Sequence, residues 1–251
     1  MDIQQIRNAT LVVTYANQVL LIDPFLGEKG SLPPFGQTPN AVANPLVDLP
    51  VDVNTLLDPD AVFVTHLHAD HFDDAAKQLL PKHLPLYAQQ EEDAQQIREA
   101  GFTNVSSFDS GVTIGDIQVY RTGGQHGVGE IGERMGRVSG LVLTHPDEPT
   151  LYIAGDTIWC DEVAHAIEQH TPDIIVVNSG AAQFLTGEPI TMSQRDLIAV
   201  HQAAAEATII VSHLESVNHC LLRRDMIADF LTAFHLSAHF LIPEDGETMS
   251  F

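Results

Sequence analysis

The stretch AVFVTHLHADHFDD, residues 61–74, decides how the rest of the sequence is interpreted. Residues 61–64 are apolar, β-branched or aromatic and too few for a helix, which predicts a short buried strand. Potential metal ligands crowd the residues that follow: His66, His68, Asp70 and His71. A strand that ends in this cluster carries imidazoles and a carboxylate to its carboxyl end, where open α/β sheets hold their sites. Such donors suit zinc, manganese or iron, and their number favours more than one ion.

The alternative interpretation of this stretch is a histidine-rich surface turn without a metal. Three later features favour the metal: His126 among glycines, the Gly155-Asp156-Thr157 turn, and Ser212-His213-Leu214 after a late apolar strand. Together with the histidines and aspartate of residues 66–71, they resemble the signature of the metallo-β-lactamase-fold hydrolases. The resemblance extends from about Thr10 to the C-terminus, and it is specific for the superfamily rather than for a substrate.

The resemblance implies two divalent ions, zinc or manganese, with iron as a further option. The ligands it implies are His66, His68 and His126 for one ion, Asp70, His71 and His213 for the other, and Asp156 as the bridge. Such ions share a hydroxide that attacks a carbonyl or phosphoryl centre. Asp70 and Asp156 are the expected catalytic residues, and Asp70 is expected to pass a proton to the leaving group. Asp23, before Pro24, is expected either to support the metal loop from behind or to cap a turn.

The predicted elements indicate one mixed α/β domain over residues 1–251. Strands and helices alternate between residues 61 and 108, which predicts a largely parallel, right-handed segment. Two halves, roughly 10–125 and 126–251, are each expected to form a mixed sheet. The resulting fold is a four-layer α/β/β/α sandwich, the metallo-β-lactamase fold. Strands are predicted at 10–15, 19–23, 61–64, 84–88, 105–108, 112–114, 117–120, 140–144, 150–154, 173–178, 208–211 and 239–242, and helices at 73–80, 91–100, 160–170, 193–205 and 222–235.

Irregular segments are expected to border the site. Residues 32–50, in a stretch dense in proline and glycine, predict a rim loop over it, with a plain surface excursion as the alternative. Residues 130–137 are expected to form a mobile loop beside His126. Arg134 and Arg137 in that loop are candidates for holding an anionic substrate group, although either could be an ordinary surface residue. His219 is a third candidate for the substrate site, with a structural role as its alternative.

Composition excludes some partners. The sequence has 11 basic and 34 acidic residues among 251, a formal net charge of −23. Such a surface repels polyanions, so nucleic acid is not expected as a partner. Cys160 and Cys220 are the two cysteines, too few for a disulfide framework, although one bridge between them stays open. No signal peptide or membrane span is recognised, so we expect a cytoplasmic protein, and the family suggests a homo-oligomer.

The expected activity is metal-dependent hydrolysis of a small-molecule ester, lactone or phosphoester. The compact chain and the turns at Asp23 and Asp156 are most similar to the L-ascorbate-6-phosphate-lactonase-like branch of the superfamily. A non-haem iron oxidoreductase on the same fold and a phosphodiesterase acting on nucleotides are the alternatives. A non-catalytic binding module is disfavoured, because all seven ligand positions carry suitable residues.

Overall fold

A computed structural model describes the whole chain, residues 1–251, as fourteen strands and six α-helices. The strands are β1 (Asp2–Arg7), β2 (Thr10–Tyr15), β3 (Gln18–Ile22), β4 (Ala61–Val64), β5 (Leu86–Ala88), β6 (Val105–Ser107), β7 (Val112–Ile114), β8 (Ile117–Thr122), β9 (Gly140–His145), β10 (Glu148–Ile153), β11 (Ile174–Asn178), β12 (Thr208–Ser212), β13 (Phe240–Leu241) and β14 (Thr248–Ser250). The helices are α1 (Asp74–Leu79), α2 (Glu91–Glu99), α3 (Gly129–Met135), α4 (Asp161–His170), α5 (Gln194–Ala203) and α6 (Arg224–Ala233). Short 3-10 turns occur at Val53–Leu56 and Ser237–His239.

The strands form two seven-stranded sheets, in the orders β14-β1-β2-β3-β4-β5-β6 and β13-β12-β11-β10-β9-β8-β7. Strands β3 to β6 are parallel, as are β10 to β13, and the remaining pairs are antiparallel. Helices α1, α2, α4, α5 and α6 connect successive parallel strands, because a parallel pair cannot be joined by a tight turn. The exception is the pair β3–β4, which residues 23–60 connect without an α-helix. The predicted parallel segment and the mixed character of both sheets are confirmed.

The apolar side chains of β11 show how the layers pack. Ile174 and Val176 join the core between the two sheets, where they meet side chains of the first sheet such as Phe63. Ile175 and Val177 point the other way, into the core under α4, α5 and α6. Helices α1 and α2 cover the outer face of the first sheet in the same manner. Because neighbouring strand residues alternate between faces, a strand that is apolar throughout is buried on both sides. The four-layer sandwich is confirmed.

The division of the chain between the sheets differs from the prediction. The hairpin β7–β8 belongs to the second sheet, where β8 pairs with β9, so the first sheet ends at Ser107 rather than near residue 125. The first sheet also takes back the C-terminus, because β14 pairs with β1. A hairpin turn specifies only its own two strands, and the sheet that they join is settled by tertiary packing.

Helix α3 corrects the prediction of a mobile loop over 130–137. Within this helix, Gly132 packs against the chain that precedes the helix. A Cβ on residue 132 would come 2.5 Å from the carbonyl oxygen of Gly127. The glycine therefore permits a close approach of two backbones rather than breaking the helix. No helix in the structure combines the length and the apolar character needed to cross a bilayer.

Candidate metal centre

Seven side chains from distant parts of the sequence meet at one edge of the sandwich. Four of them follow β4 directly, and the others come after β8, β10 and β12. The last three strands run in one direction, since β10 to β12 are parallel and β8 reaches β10 across two antiparallel pairings. Their carboxyl ends therefore present side chains at the same edge. The seven residues are His66, His68, Asp70, His71, His126, Asp156 and His213.

The donor atoms fall into three groups, each with its atoms within 4.8 Å of one another. One group is His66, His68 and His126, and another is Asp70, His71 and His213. Asp156 forms the third group with one histidine from each of the others, His66 and His71. Its Oδ2 lies 3.2 Å from His71 Nε2 and 3.6 Å from His126 Nε2, and its Oδ1 lies 3.6 Å from His213 Nε2. Asp156 thus stands between the other two groups.

The chemistry of these donors fits divalent cations. All of the seven side chains except His68 are buried, and the buried His71 Nε2 makes no well-aligned hydrogen bond, although Asp156 Oδ2 lies 3.2 Å from it. Leaving such an atom unpaired costs free energy, about 1–3 kcal/mol, unless something else binds it. Nitrogen and carboxylate donors at this spacing are those that zinc, manganese and iron take in proteins. The residues present therefore fit the metal that the donor pattern implies.

Burial and neighbouring charges set the protonation of the donors. Burial lowers the pKa of His126 to about 4, and burial together with the imidazoles of His71 and His68 lowers the pKa of His66. These imidazoles are neutral, as metal binding requires. Burial would also lower the pKa of His71, but Asp156 and Asp23 outweigh it and raise that pKa to about 10. The carboxylates thus favour positive charge at this point, and a divalent cation supplies such charge.

Asp23 holds the metal loop from behind. Its Oδ1 accepts a hydrogen bond of 2.7 Å from the Thr65 backbone N–H, and its Oδ2 accepts one of 2.7 Å from the Thr65 hydroxyl. Oδ2 also lies 2.8 Å from His71 Nδ1, so that a proton on Nδ1 leaves Nε2 free to bind a metal. Of the two roles expected for Asp23, the structure has the supporting one.

The other ligands have partners of the same kind. His126 Nδ1 lies 2.8 Å from the Ile190 carbonyl oxygen, which fixes its Nε2 toward Asp156. Asn178 Nδ2 donates to Asp156 Oδ1 over 2.7 Å. His213, held at a left-handed φ of 61°, has Nδ1 3.3 Å from the sulfur of Cys220. The contacts of His126 and His213 are made through Nδ1 and leave Nε2 for a metal, whereas Asn178 holds one of the two carboxylate oxygens of Asp156.

A cavity of about 410 Å³ opens over these donors. Four of the donor residues line it: His68, Asp70, His126 and Asp156. The remaining lining comes from the metal loop, from the rim loop, from α3 and from the segments around residues 184–190 and 219: Ala69, Phe35, Gly36, Gln37, Arg134, Met135, Phe184, Ile190 and His219. Residues 35–37 confirm that the predicted rim loop borders the site. Arg134 is the one arginine or lysine in the lining.

The position of Arg137 corrects a prediction. Its guanidinium donates to Gln90 Oε1 over 3.0 Å and to Asp109 Oδ1 over 2.7 Å, on the outside of the molecule. It therefore does not line the cavity, because neighbouring carboxylate and amide groups hold it elsewhere. Phe35 and Phe184 do line it and were not predicted individually, since single aromatic residues in irregular segments carry no periodic signal. Cys160 and Cys220 are both free thiols.

Comparison with known proteins settles the family. A family model described as a beta-lactamase superfamily domain matches residues 18–214. The chain belongs to this superfamily. It is 46% identical to the UPF0173 protein YddR of Bacillus subtilis (strain 168), over 100% of both chains. More distant curated relatives, such as one from Koribacter versatilis that is 29% identical over 61% of this chain, are named UPF0173 metal-dependent hydrolases.

Two solved structures are similar to this protein over the whole chain. The isothiocyanate hydrolase from Delia radicum gut bacteria shares 42% identity with a TM-score of 0.96, covering 100% of this chain and 99% of that one. A possible metal-dependent hydrolase from Veillonella parvula DSM 2008 shares 35% identity with a TM-score of 0.97 and the same coverage. The resemblance stated from the residues is thereby confirmed: the chain is a metal-dependent hydrolase of the metallo-β-lactamase fold.

Proposed function

We propose that this superfamily member hydrolyses small neutral electrophiles of the isothiocyanate class, R–N=C=S, with two divalent ions, zinc or manganese. The observation that carries the proposal is the composition of the cavity: its lining combines the donors with an apolar wall formed by Phe35, Met135, Phe184 and Ile190. Such a wall accepts a hydrocarbon substituent while the reactive carbon lies over the donors. The 42% identity to an isothiocyanate hydrolase supports the same substrate class.

The reaction balances with one water. Water adds to the central carbon, the C–N bond breaks, and R–N=C=S + H₂O becomes R–NH₂ + COS, with both water protons ending on nitrogen. The bound ions would lower the pKa of water and polarise a substrate heteroatom. Their ligands in this proposal are His66, His68 and His126 for one ion and Asp70, His71 and His213 for the other, with Asp156 between them.

The protein's own carboxylates then handle protons and orientation. Asp70 lines the cavity, where it can receive a proton from the attacking water and pass it to the departing nitrogen. Asn8 holds Asp70 in place, because Asn8 Nδ2 lies 3.0 Å from the Asp70 carbonyl oxygen and 3.3 Å from its Oδ2. Asn178 fixes Asp156 in the same way. The apolar wall excludes water from the rest of the cavity.

Small esters, lactones or phosphoesters, as in the lactonase-like branch, are the second candidate class. The observation that favours it is Arg134, whose cationic side chain lines the cavity and would pair with an anionic substrate group. This one arginine shares the cavity with the carboxylates Asp70 and Asp156, which disfavours a phosphoester dianion. Neutral esters and lactones fit the cavity, but they lack the support that the 42% identity gives to isothiocyanates. We therefore place this class second and nucleotides behind it.

The test uses the purified chain loaded with zinc or manganese. We expect amine and COS to form from alkyl and arylalkyl isothiocyanates faster than p-nitrophenol forms from p-nitrophenyl acetate or bis-p-nitrophenyl phosphate, and faster than hydroxy acid forms from a γ-lactone. EDTA and Asp156→Asn should each abolish turnover, whereas His83→Ala, at an exposed histidine remote from the cavity, should leave it unchanged. Faster turnover of the esters or phosphoesters would refute the substrate assignment. Full activity after metal removal would refute the metal mechanism.

A further inference from the structure

His219 is a buried polar side chain whose imidazole makes no hydrogen bond with the rest of the protein. The residue is 7% exposed, and its Nδ1 is fully buried without a hydrogen-bond partner. The other ring nitrogen, Nε2, also makes no hydrogen bond within the protein, but this atom is not fully buried. Because His219 lines the cavity over the metal ligands, Nε2 is the nitrogen that the cavity reaches.

Packing, rather than hydrogen bonding, fixes the direction of this ring. Phe35 contacts it edge-on, with ring centroids 4.7 Å apart and planes at 73°, and the Phe184 ring lies 6.2 Å away. The backbone of His219 is held too, since its carbonyl oxygen accepts a hydrogen bond of 2.9 Å from the Gln183 N–H. The imidazole is thus pre-positioned in the wall of the cavity that the donors also line.

The neighbouring residue stabilises this arrangement. Asn218 Oδ1 accepts from the Phe35 backbone N–H over 3.1 Å and from Asn44 Nδ2 over 3.0 Å. Asn218 Nδ2 donates to the carbonyl oxygens of Phe35 and Asn40 and to the Thr38 hydroxyl, over 3.2, 2.8 and 2.7 Å. The rim loop, and with it Phe35, is therefore fastened to the residue that precedes His219.

The tautomer of His219 follows from the same burial. Burial lowers the pKa of His219 to about 4, so the ring is neutral and carries one proton at pH 7. In proteins, a buried N–H without an acceptor is rarer than a buried acceptor without a donor. The enclosed Nδ1 is therefore the unprotonated nitrogen, and the proton is on Nε2. Nε2–H is then a neutral donor that faces the cavity.

We propose that His219 donates a hydrogen bond from Nε2 to the substrate, at the heteroatom that gains negative charge as water adds to the electrophilic carbon. This assignment rests on the proposed hydrolase function. A donor fixed in a low-dielectric wall stabilises developing charge without reorganising during the reaction. A histidine with a purely structural role would instead have its buried nitrogen paired within the protein, because an unpaired buried nitrogen costs free energy.

The experiment compares His219→Phe, which keeps an aromatic ring against Phe35 and removes both nitrogens, with His219→Gln, which keeps a donor. Both are measured on the metal-loaded protein with the isothiocyanate and ester probes. We expect kcat of His219→Phe to fall about 100-fold, the loss typical of removing one fixed donor to a developing anion, with KM little changed. His219→Gln should recover about tenfold of that loss. The exposed His83→Phe is the matched control.

Two further readouts separate this role from a structural one. Metal content and the thermal midpoint of His219→Phe should match those of the wild type, and ¹⁵N NMR of the wild-type imidazole should show the proton on Nε2. Wild-type kcat in a folded His219→Phe, or a proton on Nδ1, would overturn the assignment while leaving the hydrolase intact. If instead the wild type turns over none of the probes, the proposed function fails, and the role of His219 fails with it.

Discussion

Replacing Asp23 by asparagine tests how far the metal site depends on a residue that touches no metal. The change keeps the size of the side chain but turns one of its oxygens into an NH₂ donor. Oδ1 must stay an oxygen, because it accepts from the Thr65 backbone N–H at 2.7 Å and a second donor there would repel it. The new NH₂ group therefore occupies the Oδ2 position, 2.8 Å from His71 Nδ1.

That geometry reverses the tautomer of His71. With a donor facing Nδ1, the ring must accept there and carry its proton on Nε2, the nitrogen beside Asp156 that would bind the metal. Loss of such a supporting partner costs about 10–100-fold in metal affinity. At 1.4 kcal/mol per factor of ten, this corresponds to about 1.4–2.8 kcal/mol of metal-binding free energy.

The assay is a competitive zinc or manganese titration of the wild type, Asp23→Asn and a control, Asp60→Asn. Asp60 is exposed and also accepts a backbone hydrogen bond, from Val19 over 2.7 Å, but it lies far from the donors. We expect the control to keep wild-type affinity. Asp23→Asn should bind the ion of the Asp70, His71 and His213 group at least tenfold more weakly. Equal affinity in all three proteins would refute the argument that Asp23 selects the His71 tautomer.

Two further substitutions probe the surroundings of the site. Asn218→Ala removes the side chain that holds the rim loop. We expect urea denaturation to show a free energy of unfolding lower by roughly 2–4 kcal/mol, and kinetics to show a raised KM. An unchanged free energy of unfolding would contradict the stabilising role of this hydrogen-bond network. Cys220→Ala removes the partner of His213 Nδ1 and should weaken metal binding up to tenfold, whereas Cys220→Ser should stay close to the wild type; equal binding by both variants would show that the thiol does not orient His213.

The metal loop and the four layers could be predicted because their signals are local. A short apolar run before residues 66–71 marks a strand end, and capping residues mark helix starts, as Asp73 does for α1 by accepting from the Ala76 N–H. The predicted helices and strands are therefore found, with ends displaced by one or two residues. The long-range features that resembled the superfamily, around residues 126, 156 and 213, lie together in the structure.

The N-terminal strand β1 could not be predicted because its buried face includes polar residues. Gln5 and Arg7 are both buried, which removes the alternation of apolar and polar residues that predicts a strand. Arg7 is stabilised by carbonyl oxygens of distant residues, including Phe25 at 2.7 Å and Gly27 at 2.8 Å. These hydrogen bonds depend on the tertiary fold, so no local sequence pattern predicts that Arg7 is buried. The strand β14, of three residues, exists only because β1 pairs with it.

The residues that form the wall of the cavity could not be predicted for a similar reason. Phe35, Phe184 and His219 come from three irregular segments, and their meeting is a property of loop conformation rather than of periodicity. The two arginines of residues 130–137 show the same limit, since Arg134, in α3, lines the cavity, whereas Arg137, just after the helix, donates to Asp109. Sequence reasoning could place these arginines near the site, but it could not choose between them.

Anomalous diffraction from crystals of the zinc- or manganese-loaded protein tests the central claim most directly. The account predicts two peaks per chain, one among His66, His68 and His126 and the other among Asp70, His71 and His213, with Asp156 touching both. A single peak, or none, in crystals of protein that hydrolyses its substrate at the full rate would contradict it.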